Sequence, residues 1–192
     1  MGRPKQFDRD IALQQAIGVF ADHGYEGTST DALLDAMRIS RQSLYDTFGD
    51  KRRLYLEALQ RYNADSVSEL IGIMNASPSP LAGLEAALLA LAARPLPQRG
   101  IGCLGVSATC EFGVSDQEVL LLGEAASRTL LSALERRIAQ AKEAGEADAD
   151  LDIHAAAQFI AATFSAIKLA ARGGASTSAL RNIARMAIRS LR

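Results

Sequence analysis

From Asp8 to Tyr62 the chain is punctuated into four short apolar blocks, each opened by a capping side chain, and this constrains the fold more than any other feature. Ile11, Leu13, Ala16, Ile17 and Phe20 recur at close to helical spacing, with Asp8 placed to cap the start and Gly24 to end the helix. A second block runs from Thr28-Ser29-Thr30 through Leu33, Ala36 and Met37, its hydroxyls supplying acceptors for the unpaired amides of a first helical turn. Arg38 and Ile39 interrupt it. Ser40 caps a third, short helix in which Leu44 and Phe48 share a face, and Gly49 is expected to close it in a left-handed conformation. Asp50 opens the fourth at once, where Tyr55, Ala58, Leu59 and Tyr62 keep the helical period. Two short helices joined by a tight turn are the pattern of a helix-turn-helix.

Beyond Tyr62 the punctuation changes scale. Val67, Leu70, Ile71 and Met74 carry the fourth helix to the breaker Ser77-Pro78-Ser79-Pro80, and an Ala/Leu-rich helix follows from Leu81 to Ala93. Arg94-Pro95-Leu96-Pro97 ends it, and a helix resumes near Cys103. Ser115-Asp116-Gln117-Glu118 reads as a capping box for a long helix with Leu120, Leu131, Leu134 and Ile138 facing inward. Two helices close the chain. One carries Ile153, Ala157, Ile160, Phe164 and Ala171, the other Leu180, Ile183, Ala184, Ala187, Ile188 and Leu191, with Gly173-Gly174 between them. The fold class is therefore all-α: residues 1–50 form a three-helix helix-turn-helix DNA-binding domain with a basic arm. Residues 51–192 form a helical body whose first helix links the two.

Charge alone does not point to nucleic acid, since the formal net charge is -1. Up to Tyr62 the bases Arg3, Lys5, Arg9, Arg38, Arg41, Lys51, Arg52, Arg53 and Arg61 are matched one for one by acids. Placement has to carry the argument, because a local cluster facing phosphates attracts DNA while acids elsewhere cancel the total. The clusters are Arg3/Lys5 and Lys51 to Arg53. No uninterrupted apolar run approaches the ~18 residues of a membrane span, and Met1-Gly2-Arg3-Pro4-Lys5 leads into Asp8 and Asp10 instead of a signal-peptide core. A cytoplasmic protein with no membrane partner is expected.

Within the third helix the chemistry follows from geometry. A recognition helix enters the major groove N-terminus first, so Arg41 and Gln42 have the reach and donors to read base edges, and Ser43 to touch base or phosphate. On an ordinary surface helix the same residues are solvated polar groups; what favours reading is their position at the start of the second helix of a pair. The arm Arg3 to Lys5 suits a groove or the backbone beside that site, as it also suits a frayed terminus.

Gly24-Tyr25-Glu26-Gly27-Thr28-Ser29, then Ile39-Ser40-Arg41-Gln42-Ser43-Leu44-Tyr45-Asp46-Thr47-Phe48-Gly49-Asp50-Lys51 and Leu54, resemble the TetR-type bacterial transcriptional regulators over about the first third of the chain. Where the usual pattern has Gly before the turn's Ile or Val, this sequence has Arg38. The resemblance implies that Thr28, Tyr45 and Lys51 hold phosphates, positioning the helix without reading sequence. It also implies that residues 51–192 are a helical effector-binding and dimerisation domain, with a homodimer built from the last two helices, for which Phe164, Ile183 and Ala187 are candidates, and hence a palindromic double-stranded operator. A repressor released by a small-molecule effector is the expected function, the alternative being a helical carrier or sensor acting through protein contacts.

No catalytic set is visible. His23 and His154 sit near helix ends, Ser107, Thr109 and Ser115 lack a base or a nucleophile-elbow pattern, and no Gly-rich phosphate loop or metal-ligand spacing occurs, so neither an enzyme nor a cofactor or metal is expected. Cys103 and Cys110 are too few for a disulfide framework. Arg99-Gly100-Ile101-Gly102-Cys103-Leu104 resembles the segment of a TetR subgroup that includes repressors of reactive-electrophile responses. A helix N-terminus and Arg99 would both lower the Cys103 thiol's pKa; equally, free cysteine commonly serves as a small buried hydrophobe. Lys168, a lone lysine among Ile167, Leu169 and Ala170, is a candidate polar partner in an effector pocket or a snorkelling surface side chain.

Overall fold

The computed structural model describes residues 7–94 and 103–192, which hold nine α-helices and fall into two compact units. The first unit combines residues up to Asn63 with 103–123; the second combines 64–94 with 124–192. In chain order the helices are α1 (Arg9–His23), α2 (Thr30–Met37), α3 (Arg41–Phe48), α4 (Lys51–Asn75), α5 (Pro80–Ala93), α6 (Leu104–Phe112), α7 (Gln117–Glu143), α8 (Ile153–Arg172) and α9 (Thr177–Arg189). Both α4 and α7 continue from one unit into the other.

Local chemistry sets most helix starts. Asp8, Ser29, Ser40, Ser79, Asp152 and Ser176 are N-caps whose side-chain oxygens accept backbone N–H groups of the first turn. At α7 the expected capping box is replaced by a single cap. Asp116 accepts from the Val119 amide at 3.1 Å, while the Ser115 hydroxyl turns back to donate to Phe112 O at 2.6 Å. Gly49 ends α3 with a positive φ of 86° but a ψ of -78°, outside the left-handed helical well.

Eight-residue helices such as α2 and α3 are unstable alone, so tertiary burial must hold them. Leu33 and Met37 of α2, Leu44 and Phe48 of α3, Phe20 of α1 and Leu54 and Tyr55 of α4 form one core, into which Leu104, Ala108 and Val119 also pack. Each fully buried leucine stabilises by about 1.5–3 kcal/mol relative to exposure. The second unit has its own core of α5, α7, α8 and α9 around Leu88, Leu134, Ile138, Ile160 and Leu180.

α8 is long and apolar enough by length and composition to cross a membrane, yet Ala156, Ala157, Ile160, Thr163, Phe164 and Ile167 line the second unit's core. Its remaining apolar residues explain the excess. Ala155, Phe159, Ala162, Ala166 and Leu169 form an exposed stripe at alternating spacings of four and three, and Ala179, Ile183 and Met186 form another on α9. Two residues expected at a subunit interface lie elsewhere: Phe164 and Ala187 are each only 2% exposed, enclosed by their own chain's core. Ile183 remains on the surface.

The turn between α2 and α3 is made by Arg38 in the left-handed conformation, φ 53° and ψ 44°. The Arg38 amide donates to Asp35 O at 3.3 Å and the Ile39 amide to Leu34 O at 3.2 Å, the paired bonds that normally accompany a C-terminal glycine. For a side chain with a Cβ this conformation costs roughly 1–2 kcal/mol, partly offset by about 0.4–1 kcal/mol because glycine would loosen the unfolded chain. Arg38→Gly is therefore expected to stabilise by about 0.5–1 kcal/mol and to raise Tm by roughly 1–4 °C. Thermal unfolding by circular dichroism checks this, and a lowered Tm would contradict the backbone assignment.

Candidate nucleic-acid interface

The site is built on α3 because Leu44 and Phe48 turn into the core and leave another face of the helix free. Arg41, Gln42 and Tyr45 are exposed on that free face, while Ser43 is half-buried. Ser43 is tied to the cap: its amide donates to Ser40 Oγ at 3.1 Å and the two hydroxyls lie 2.9 Å apart. The arginine and glutamine have acidic neighbours. Arg41 pairs with Asp31 of α2 at 2.6 Å, and the Gln42 amide donates to Asp46 at 2.8 Å.

Lys51, expected on a phosphate, begins α4, with its Nζ 4.3 Å from the centre of the Tyr25 ring. This cation–π contact fixes the lysine's stem beside the α1–α2 turn and leaves its charge in place for an anion. The positive end of α4 lies at the same point. Thr28 departs from expectation. It is buried, and its hydroxyl donates to Gly24 O at 2.6 Å, so that donor closes the α1–α2 turn instead of facing outward. Gly27 is required in that turn, since a Cβ there would lie 2.3 Å from His23 O. Arg3 and Lys5 lie outside the described residues, as does Arg99.

A second set of contacts, centred on Glu111 and Phe112, which the sequence did not single out, anchors this surface. The Glu111 carboxylate of α6 accepts the backbone N–H groups of Tyr25 at 2.9 Å and Glu26 at 2.7 Å. Successive amides converging on one anion make a nest, here filled by the protein itself. Tyr25 packs on Tyr55 and Phe112 with ring centroids 5.0 and 5.8 Å away, and Phe20 meets Tyr55 edge-on at 5.1 Å. Burial, with the Glu111 charge adding, pushes the Tyr55 phenol's pKa up, so it stays neutral. Arg52 crosses above Tyr25 and Phe112 and pairs with Asp116 at 2.7 Å and Glu118 at 3.2 Å. Pairs such as Glu111 with Tyr25 are separated by 86 residues, beyond the reach of any local pattern.

Cys103 is the N-cap residue of α6, half-buried and making no side-chain cap bond; Cys110 is exposed, and both are free thiols. Seven residues along a helix is about 10.5 Å, too far for an unstrained disulfide. Lys168 is half-buried on α8. His154 bonds Glu135 at 2.6 Å and Gln158 at 3.0 Å on the surface. Thr109 donates to Gly105 O at 3.0 Å, a structural use of its hydroxyl.

The pattern of the bacterial regulatory proteins of the tetR family matches residues 12–58, and that of a tetracyclin repressor-like C-terminal domain matches residues 80–187. The chain belongs to the TetR family. It is a DNA-binding transcriptional regulator with the all-α architecture and N-terminal helix-turn-helix of that family, which is made up of regulators and not enzymes. This TetR-family regulator is 35% identical over 162 residues to the HTH-type transcriptional regulator YezE of Bacillus subtilis, covering 83% of this chain and 84% of YezE. It is 28% identical over 193 residues to the transcriptional repressor ComR of Escherichia coli, covering 98% and 90%. Among solved structures, a cysteine mutant of the TetR family regulator CifR complexed with 26-bp double-strand operator DNA superimposes with a TM-score of 0.86 at 29% identity over 100% of both chains.

The Arg52 pair gives the regulator a pH signature. Hydrogen bonding to Arg52, helped by the Val119 amide, holds the Asp116 carboxyl below its ordinary range. A depressed folded-state pKa contributes stability that is fully present above the unfolded carboxylate value of about 3.9 and is lost as pH falls through the lower folded value. Asp116→Asn is therefore expected to cost about 1 kcal/mol at pH 7, with the gap to wild type closing in strong acid. Chemical denaturation at pH 7 and near pH 3 measures it; a gap that is constant with pH would contradict the pairing.

Proposed function

We propose that this regulator is a repressor that binds a palindromic operator as a homodimer in the cytoplasm and is released by a small-molecule effector. The observation that carries the reading is an α3 anchored by Leu44 and Phe48 that presents Arg41, Gln42 and Tyr45 to solvent, with Lys51 starting α4 three residues after α3 ends. Arg41 and Gln42 read base edges, with Ser43 at the margin; Tyr45 and Lys51 hold phosphates, aided by the arm residues Arg3 and Lys5. Thr28 serves the site by closing the α1–α2 turn. The regulators it resembles include a named repressor and a protein complexed with operator DNA, which supports the sign and the partner.

Residues 1–50 are assigned to DNA reading and residues 51–192 to effector binding and assembly. Assembly rests on the exposed stripes of α8 and α9, whose spacing is that of a helix-packing seam and whose apolar surface has the chemistry of a second copy of the same face. A two-fold dimer places two recognition helices on half-sites about 34–36 Å apart, or a multiple of that. α4 begins at Lys51 and continues into the second unit, so an effector held there, with Lys168 as a candidate contact, changes half-site spacing by moving one continuous helix; Cys103, in the first unit, is a separate candidate for an effector or redox contact.

Selection from random duplexes tests the reading. Arg41→Ala or Gln42→Ala is expected to flatten discrimination at its own base pair by roughly 1–3 kcal/mol, and Lys51→Ala to weaken all sequences alike. A selected motif unchanged in both alanine variants would overturn the recognition-helix assignment. For assembly, Phe159→Glu and Met186→Glu place a charge on side chains that are 49% and 62% exposed in the single chain, so the monomer fold is spared. Each is expected to weaken association by several kcal/mol, the penalty of an unpaired charge buried at an interface. Sedimentation equilibrium decides, and an undiminished dimer in both would remove these stripes from the interface.

A further inference from the structure

Two acids stand on a surface meant for a polyanion. Asp31, in the first turn of α2, is 78% exposed and accepts from Arg41, itself 56% exposed, at 2.6 Å. Asp46, one turn along α3, accepts from the Gln42 Nε2 group at 2.8 Å. An ion pair this exposed adds little to folding, and each carboxylate lowers affinity for every duplex alike by repelling phosphate. Their position against the two side chains best placed to read bases gives them a different consequence.

We propose that Asp31 and Asp46 are positioning residues that set which base edge Arg41 and Gln42 accept. The inference rests on the assignment of those two side chains to base reading. Arg41 carries five N–H donors in a rigid fork. Asp31 engages one of them and holds the plane of the fork, leaving the others aimed at an acceptor pair, which in the major groove is guanine O6 and N7. Gln42 has an amide whose two ends are opposite in sense. With its NH2 group held by Asp46, the carbonyl oxygen is the end turned outward, and it accepts from adenine N6 or cytosine N4. Freed from Asp46, the amide turns over and donates to thymine O4 or guanine O6 with equal ease. Asp46 thus fixes the polarity of one contact, and Asp31, reaching across from α2, fixes the plane of the other.

The test compares selected motifs and equilibrium binding to operator and random duplexes for wild type, Arg41→Ala, Gln42→Ala, Asp31→Ala, Asp31→Asn, Asp46→Ala and the pair Asp31→Ala/Arg41→Ala, with folding checked by circular dichroism. Asp46→Ala is expected to broaden the motif at the base pair that Gln42→Ala also affects, and Asp31→Ala at the Arg41 base pair. Each should lose about tenfold in preference there while binding random DNA more tightly. Asp31→Asn keeps an acceptor oxygen without the charge, so it should retain most of the preference and still gain random-DNA affinity. In the Arg41→Ala background, Asp31→Ala should not alter the motif further. If both aspartate-to-alanine variants strengthen binding to all duplexes by one common factor and leave the motif intact, the acids act only through charge and the proposal is overturned. If instead Arg41→Ala and Gln42→Ala leave the motif intact, the underlying assignment of α3 has failed and the positioning role falls with it.

Discussion

The burial of Leu44 and Phe48 against Leu33, Phe20 and Leu54 is the interaction on which the rest of this regulator depends. An eight-residue helix has too few internal hydrogen bonds to persist in water, so α3 exists because its apolar side is enclosed. That enclosure also fixes rotation about the helix axis. With Leu44 inside, Arg41, Gln42 and Tyr45 have to face out, and a rotation large enough to redirect them would expose the leucine. On the proposed assignment, specificity toward DNA is in this sense a by-product of core packing: the side chains assigned to base reading are aimed by side chains buried in the core.

The same economy applies to charge. A net charge of -1 and evenly matched acids and bases up to Tyr62 look unsuited to a polyanion. Several of the acids have local work within the protein. Asp8 caps α1, Asp50 accepts from the Arg53 amide at 2.8 Å, Asp31 pairs with Arg41, and Asp46 accepts from the Gln42 amide. On α6 and just beyond it, Glu111 fills the amide nest at Tyr25 and Glu26, and Asp116 takes Arg52. Lys51 is left over the Tyr25 ring without a carboxylate in that contact, so its charge is available where α4 also presents its positive end. Net charge is a sum, and binding is governed by the few charges that face the phosphates.

The legible parts of the fold were those set by near neighbours. Caps at Asp8, Ser29 and Ser40 act over three residues, and the helix-turn-helix punctuation reads directly from them. Arg38 adopts the left-handed conformation that glycine usually supplies because the surrounding core requires a turn there, so the pattern survives a residue that disfavours it. What stayed hidden was direction and distance. α8 and α9 are each apolar on two sides, one stripe serving the chain's own core and one left on the surface, and periodicity does not say which is which; Phe164 on α8 and Ala187 on α9 turn out to belong to the core stripes. Thr28 has a hydroxyl whose nearest acceptor, Gly24 O, is created only when the turn closes. The anchoring role of Glu111 depends on amides 85 and 86 residues away, which no spacing rule connects.

The most direct test is equilibrium binding of the full-length wild-type protein to its selected palindromic duplex and to a scrambled duplex of equal length, across about 50 to 200 mM salt. If an anchored α3 reads bases while Lys51 and Tyr45 hold phosphates, both affinities fall linearly in the logarithm of salt, and the palindrome keeps a preference on the order of 10³ or more throughout. Equal affinity for the two duplexes, or a preference that vanishes with salt, would contradict sequence reading by α3.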